Sequence, residues 1–112
     1  MDIRPIDDFY AVSEQITPED VAEIKAAGFR SIVCHRPDDE EAGQPAFADI
    51  AAAAEKEGLY VAHVPVGGMG LTPDAVTGMV DALDDLEKPV LGYCRSGARS
   101  TRIYEEAKRF RG

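Results

Sequence analysis

Cysteine and basic residues are both scarce in this 112-residue chain, and each shortage limits its function. The 2 cysteines, Cys34 and Cys94, lie 60 residues apart. Such a pair makes neither a disulfide framework nor a cysteine-rich zinc site, so a reducing, cytoplasmic setting is expected. With 12 basic against 21 acidic residues, the formal net charge of −9 disfavours nucleic acid or an anionic membrane as a partner.

Long apolar runs are missing as well. The first residues show no basic region followed by an apolar stretch, and no run approaches the ~20 residues of a membrane-spanning helix. The chain is therefore expected to be soluble and unprocessed. Its length and its 45% hydrophobic content predict a single domain covering residues 1–112.

Helix and strand signals alternate along the chain. Thr17-Pro18 and Thr72-Pro73 each combine an N-cap with a proline at the first helical position. Helices are predicted at residues 17–28, 45–58, 72–88 and from 98 onward, and buried strands at 9–12, 31–34, 60–66 and 89–94. The inner face of the last helix is predicted to carry Ile103, Ala107 and Phe110. This order predicts a three-layer α/β domain, in which helices flank a mainly parallel sheet of four to five strands. In such sheets ligands bind beyond the carboxyl ends of the strands.

The segment after the last predicted strand reads Cys-Arg-Ser-Gly-Ala-Arg-Ser over residues 94–100. Backbone N–H groups and a helix N-terminus can converge there on one anion, which favours the thiolate form of Cys94. We predict Cys94 as the nucleophile, Arg99 as the fork that holds an oxyanion, and the Ser100 hydroxyl as a donor to sulfur. The predicted substrate-binding residues are those between them, Arg95, Ser96, Gly97 and Ala98.

An inert strand-end cysteine followed by surface arginines is the alternative interpretation of this segment. Two arginines in a first helical turn oppose the usual preference for acidic residues there. An anion cradle is therefore the better explanation of the pattern, with a positive φ expected at Gly97.

Residues 93–100 resemble the active-site loops of rhodanese-type sulfurtransferases and of cysteine phosphatases. Residues 9–16, 36–45 and 63–66 also resemble the bacterial family called beta-lactamase-hydrolase-like protein, phosphatase-like domain, some of whose members are catalogued as sulfur transferases. This resemblance covers essentially the whole chain. It implies a dual-specificity-phosphatase fold with Cys94 as nucleophile and Arg99 as anion-binding arginine. By analogy with fused relatives, it also implies a metallo-beta-lactamase-like hydrolase as a partner.

The chain departs from working phosphatases in three ways. It has Tyr93 where they have histidine, and four residues rather than five between Cys94 and Arg99. A glycine-rich loop at 67–70 stands where they carry an aspartic general acid. The nearest later acid, Asp74, is a weak candidate, because a first-turn aspartate is already explained by the helix dipole.

Without a proton donor, expulsion of an alkoxide would be slower by ~10²–10⁴-fold. A sulfite or thiolate leaving group needs no such acid. The sequence therefore favours a sulfurtransferase that carries sulfane sulfur as a persulfide on Cys94. The alternatives are a phosphatase acting through a phosphocysteine on Cys94, and a non-catalytic anion-binding regulatory module. Each takes a small anionic ligand, a sulfane sulfur donor or a phosphate ester, and needs no cofactor or metal.

The remaining candidates carry weaker signals. Cys34 ends a predicted strand at the same sheet edge as Cys94 and could serve as a redox partner, although a small buried residue is the simpler interpretation. His35 is expected either at the mouth of the site or on the surface, and His63 to be a core or half-buried histidine with its hydrogen bonds satisfied. The acidic run at residues 38–41 is predicted to be a solvated loop. The oligomeric state is left open.

Overall fold

The computed structural model of the protein describes residues 1–111 and contains five strands and four helices. The strands are β1 Arg4–Pro5, β2 Tyr10–Ser13, β3 Ser31–Cys34, β4 Tyr60–His63 and β5 Val90–Tyr93. The helices are α1 Val21–Ala26, preceded by a 3₁₀ turn at Pro18–Asp20, then α2 Phe47–Lys56, α3 Pro73–Asp85 and α4 Ala98–Arg111. None of these helices has the length and apolar character needed to cross a bilayer.

The five strands form one sheet in the order β1-β2-β5-β3-β4. Strands β2, β5, β3 and β4 run parallel, and only β1 pairs antiparallel, at the edge beside β2. Leu91 in β5 lies opposite Ala11 in β2 and Ile32 in β3, so β5 is held on both sides. The predicted mainly parallel sheet of four to five strands is confirmed.

Two hydrophobic cores cover the two faces of the sheet. Val33 and Val90 pack with Met79 of α3 and Ile103 of α4 on one face. On the other face, Ile32 and Leu91 pack with residues from α1 and α2, among them Ile24 and Ile50. Because both faces are covered, the central strands are buried throughout, and this explains their unbroken apolar sequences.

Several boundaries differ from the sequence-based expectation. Strand β2 begins at Tyr10, the first residue paired with β5, rather than at residue 9, and Phe9 is 56% exposed. Strand β4 ends at His63, three residues early. The Val64 and Val66 N–H groups still donate at 2.9 Å, but to the consecutive carbonyls of Cys34 and His35, so the regular parallel register ends there. The two-residue strand β1 was not predicted, because so short an edge segment containing Pro5 carries no alternating pattern.

The buried face of α4 follows the predicted helical spacing as far as Ala107, and the last turn of the helix is exposed. Ile103 and Ala107 are fully buried, as predicted. Phe110 was predicted on the same face and is instead 67% exposed, because the last turn of α4 extends past the core. That part of the prediction is wrong.

Strand β5 contains a glycine, Gly92, at a position with no room for a side chain. A Cβ atom on Gly92 would overlap the Tyr10 hydroxyl and would lie 2.7 Å from Tyr10 Cζ. Tyr10 itself cannot easily move, since its ring stacks on Tyr104 at 4.0 Å between centroids and its hydroxyl donates to the Ser100 carbonyl at 3.0 Å. Gly92 therefore lets Tyr10 cross the sheet beneath the active-site segment.

We expect Gly92→Ala to lower the free energy of unfolding by about 1–3 kcal/mol, the usual cost of overpacking a core. Gly78→Ala is the matched control, because its Cβ would lie 3.5 Å from Val64 Cγ1, an ordinary contact within α3. That control should be neutral or stabilising by up to about 1 kcal/mol. Urea unfolding of both variants measures the difference, and equal stabilities would contradict this explanation of Gly92.

Candidate active site

The segment that the sequence singles out lies at the carboxyl edge of the central strand. Strand β5 ends at Tyr93 and α4 begins at Ala98, so residues 94–97 form a short turn between them. The ends of β2 and β3 flank this turn, because both strands pair with β5 in parallel. The topology thus brings three strand ends to one place, where open α/β sheets bind ligands.

Cys94 is fully buried within this turn, and its sulfur accepts a hydrogen bond from the Gly97 N–H at 3.0 Å. Burial by itself raises the pKa of the thiol. The nearby N–H and hydroxyl of Ser100 and the N–H groups of Ser96 and Gly97 act in the opposite direction. Their effect outweighs the desolvation, and the pKa of Cys94 is lowered overall. The predicted thiolate cradle therefore has the expected geometry.

The turn is shaped by a glycine in the left-handed region. Gly97 has a φ of +97°, as predicted, and a Cβ atom there would also overlap the guanidinium of Arg4. Arg4 comes from strand β1 and donates from Nη2 to the Ser96 carbonyl at 2.6 Å. The backbone conformation disfavours any side chain at position 97, and a side chain there would also displace the end of Arg4 from the Ser96 carbonyl.

Other carbonyls of the segment are also held on the side away from sulfur. The Gln15 N–H donates to the Arg95 carbonyl at 3.3 Å, and the Tyr10 hydroxyl donates to the Ser100 carbonyl at 3.0 Å. Within residues 1–111, the buried Ser100 Oγ has no hydrogen-bond partner. Its O–H is therefore available to a thiolate, and the role of Ser100 stays a prediction.

Arg99 projects from the first turn of α4 and meets a carboxylate that the sequence did not predict. Its Nη1 and Nη2 atoms donate to Oε2 and Oε1 of Glu40, each at 2.8 Å. Nη1 also donates to the Val66 carbonyl at 2.8 Å. The Glu40 hydrogen bond is the main cause that raises the pKa of Arg99, and the same contact lowers the pKa of Glu40 to about 2.

The acidic run at residues 38–41 is therefore not simply a solvated loop, and that expectation is wrong for two of its members. Glu40 also accepts from Arg36 Nε at 2.9 Å, and Glu41 accepts from Arg36 Nη2 at 3.2 Å. The Arg36 side chain is only 3% exposed. The exposed Arg95 lies 3.5 Å from the Glu41 carboxylate. A signal was available, since this loop leaves β3 at the sheet edge where Arg95 and the thiolate cradle lie.

Both histidines make packing contacts and hydrogen bonds with other parts of the fold. His35 is fully buried, with Nδ1 2.9 Å from the Val64 carbonyl and Nε2 3.3 Å from the Tyr10 hydroxyl. The expectation of a surface position is wrong, and burial lowers its pKa to about 4. His63 stacks on Phe47 at 4.6 Å between centroids and bonds through Nε2 to the Arg36 carbonyl at 2.9 Å, so its expected packing role is confirmed.

Of the two remaining candidates, Cys34 lies near the site and Asp74 lies away from it. Cys34 is paired with Tyr93 in the sheet register, next to Cys94, and its sulfur lies 3.3 Å from the Arg36 carbonyl. Burial raises the pKa of Cys34, so a redox role stays a prediction. Asp74 is exposed in the first turn of α3 and lines a separate cavity of about 300 Å³ with His63.

A parallel sheet whose central strand delivers a low-pKa cysteine and a following arginine to its carboxyl edge defines a cysteine-dependent, phosphatase-like domain. Residues 2–108 match the family described as beta-lactamase hydrolase-like protein, phosphatase-like domain. The chain belongs to this family. The resemblance drawn from the sequence, and the dual-specificity-phosphatase fold it implied, are confirmed.

Known relatives agree with this assignment. A beta-lactamase hydrolase-like protein of Xylella fastidiosa is 35% identical over 104 residues, which are 93% of this chain and 24% of that protein. The chain thus spans about a quarter of the length of this curated relative. A candidate phosphatase of Neisseria meningitidis has a similar structure, with a TM-score of 0.84, 34% identity and coverage of 93% of this chain and 74% of that one. One from Shewanella putrefaciens, 18% identical, has a TM-score of 0.84 over 98% of this chain and 69% of its own, and shows the same fold.

The hydrogen bonds to sulfur predict an unusually reactive thiol. Alkylation of Cys94 by iodoacetamide should reach half of its maximal rate below pH ~8.5, the ordinary cysteine value, and Ser100→Ala should move this midpoint upward. Cys34 should react only at higher pH, because its pKa is raised. Peptide mass spectrometry after timed alkylation separates the two thiols. A Cys94 that reacts no faster than Cys34 at neutral pH would contradict the cradle.

The Glu40 ion pair predicts a stability change in acid. Since the pKa of Glu40 falls from an ordinary 4.5 to about 2 in the fold, its contribution is fully present above pH ~4.5 and is lost as the pH falls through about 2. The wild type should therefore lose more free energy of unfolding between pH 5 and pH 3 than Glu40→Gln does. Urea unfolding at the two pH values tests this, and identical losses in both proteins would disprove it.

Proposed function

We propose that this domain hydrolyses phosphate monoesters through a phosphocysteine on Cys94. The observation that carries the proposal is the lowered pKa of a buried thiol that accepts the Gly97 N–H at 3.0 Å and is followed on α4 by Arg99. A thiolate is the nucleophilic form of cysteine, and inward-facing N–H groups stabilise the oxyanions of a transferring phosphoryl group. Family membership supports the same chemistry.

The reaction needs two displacements at phosphorus. The Cys94 thiolate forms a sulfur–phosphorus bond while the phosphorus–oxygen bond of the ester breaks, and the released oxygen takes a proton from solvent. Water then attacks phosphorus, the sulfur–phosphorus bond breaks, and inorganic phosphate leaves as the thiolate returns. Arg99 and the N–H groups of Ser96, Gly97 and Ser100 hold the equatorial oxygens in both proposed steps.

Among the described residues, neither carboxylate considered as a general acid is suited to protonate the leaving group, and this limits the substrate class. Glu40 is the carboxylate bonded to Arg99, yet with a pKa of about 2 it is ionised at neutral pH and has no proton to give. Asp74 has no hydrogen bond or ion pair to residues 94–100 in the described part of the chain. The proposed substrates are therefore aryl or acyl phosphates and other esters whose leaving groups are stable as anions.

Sulfur transfer is the second candidate, and the same shortage of an acid favours it. The Cys94 thiolate would attack the sulfane sulfur of a donor such as thiosulfate, forming a persulfide as sulfite leaves with the bonding electrons. A thiophilic acceptor such as cyanide would then remove the outer sulfur and restore the thiolate. The four-residue spacing between Cys94 and Arg99 gives this candidate its rhodanese-like character.

Partners and location belong to the same proposal. A reactive thiolate keeps its activity in a reducing compartment, so a cytoplasmic setting suits either chemistry. Because this chain covers 24% of a relative in Xylella fastidiosa named beta-lactamase hydrolase-like protein, a hydrolase of the metallo-beta-lactamase type is proposed to work beside this domain.

Two assays on the purified protein separate these candidates. With p-nitrophenyl phosphate we expect Cys94-dependent release of p-nitrophenol, abolished in Cys94→Ser, and turnover of phosphoserine lower by ~10²–10⁴-fold. Asp74→Asn should retain the activity, because this side chain does not touch the cradle. Thiosulfate with cyanide should give no thiocyanate. Thiocyanate without phosphate release would replace hydrolysis by sulfur transfer, and no turnover in either assay would leave an anion-binding module.

A further inference from the structure

Arg99 has five N–H donors, and the structure accounts for three of them. Both donors of Nη1 are used, one on Glu40 Oε2 and one on the Val66 carbonyl, each at 2.8 Å. One donor of Nη2 is used on Glu40 Oε1, also at 2.8 Å. The donors that remain are the Nε–H and the second Nη2–H, which lie on a single edge of the planar group and can bind two oxygens of one anion.

Glu40 and the Val66 carbonyl therefore bind the end of the guanidinium, and the edge formed by Nε and Nη2 keeps its two donors for a ligand. The turn that the Gly97 N–H closes on the Cys94 sulfur at 3.0 Å leads directly into the helical turn that carries Arg99. After the larger effect of Glu40, the Cys94 thiolate also contributes to the raised pKa of Arg99. An anion held on the open edge would then lie within reach of the sulfur. A guanidinium free to rotate about its long side chain would present this edge only part of the time.

The Glu40 carboxylate that binds Arg99 is itself held in place by a second arginine. Glu40 Oε1 accepts from Arg36 Nε at 2.9 Å as well as from Arg99. The buried guanidinium of Arg36 is fixed by Gln15 Oε1 at 3.0 Å and by Glu41 at 3.2 Å, and its carbonyl accepts a bond from His63. A carboxylate held by two arginines in this way has little freedom to swing aside.

From this arrangement we infer that Glu40 is a positioning residue, which orients Arg99 so that its Nε and Nη2 edge receives the substrate oxyanion. Glu40 does not touch the reacting atoms. The inference rests on the proposed function only in taking a tetrahedral oxyanion as the ligand, and it holds for a phosphoryl group or for thiosulfate. It also gives the loop at residues 36–43 a role in the site.

The two neighbouring glutamates provide a matched pair for the test. Glu40 bonds Arg36 and Arg99, whereas Glu41 bonds Arg36 and approaches Arg95, without contacting Arg99. Glu40→Gln and Glu41→Gln remove the same charge from adjacent positions of one loop. Any effect of loop charge in general should appear in both variants, and any effect on the orientation of Arg99 only in the first.

The probe is inorganic phosphate, and the readout is its protection of Cys94 from alkylation, measured by mass spectrometry as a function of phosphate concentration. We expect Glu40→Gln to weaken protection by about 10- to 100-fold, as a misplaced binding group does, and Glu41→Gln to stay within about 2-fold of the wild type. Glu40→Asp keeps the charge on a shorter stem and should recover part of the loss. Circular dichroism melts confirm that each variant is folded at the assay temperature.

Three results would overturn the inference. Unchanged or tighter phosphate binding by Glu40→Gln would mean that Glu40 is dispensable or competes with the ligand for Arg99. Equal losses in the two glutamine variants would reduce the effect to loop charge. A Glu40→Gln variant that does not fold, together with a folded Glu40→Asp variant that shows full protection, would also contradict it. Turnover is measured separately, so a wild type that binds phosphate but hydrolyses no ester would defeat the proposed function and not this inference.

Discussion

A buried thiolate is stable only when hydrogen bonds replace the water it has lost, and the surroundings of Cys94 follow from that requirement. The donors must come from backbone N–H groups, so the carbonyls of the same short turn have to point elsewhere. Arg4 binds the carbonyl of Ser96, Gln15 that of Arg95 and Tyr10 that of Ser100. The contacts of Gln15 and Arg4 help to keep the N–H groups of Ser96 and Gly97, which share peptide units with the bound carbonyls, directed at sulfur.

The charges around the cradle show how a strongly acidic chain builds a local anion site. The net charge is −9, yet three arginines, Arg36, Arg95 and Arg99, gather at one sheet edge. Each pairs with Glu40 or Glu41, so the edge keeps directed N–H donors without becoming a broadly positive surface. Such a site binds a small anion through the geometry of its donors, and long-range attraction adds little.

The sequence predicted those features that depend on local pattern. The strand, the turn and the helix around Cys94 could be derived from residues adjacent in the chain, and the positive φ at Gly97 follows from the same segment. Buried apolar runs and capped helices were sufficient to predict the parallel sheet. Boundaries failed where the regular pairing of a strand ends early, as at His63, where β4 stops.

The parts that escaped prediction depend on partners far away in sequence. Glu40 pairs with an arginine 59 residues later, and nothing local distinguishes it from the three acids beside it. Arg4 lies 92 residues before its carbonyl partner, on a strand too short to show a pattern. His35 was ambiguous because its burial is decided by Tyr10, which reaches across the sheet from β2.

These long-range contacts also determine the stage of folding at which Cys94 becomes reactive. Arg4, Glu40 and Val66 reach the active-site segment from 92, 59 and 33 residues away, so the turn alone does not make the site. In a nascent or partly unfolded chain, Cys94 is an ordinary thiol, mostly protonated and slow to react at neutral pH. Its reactivity therefore belongs to the finished tertiary structure, and the rate at which the thiol is modified reports whether folding is complete.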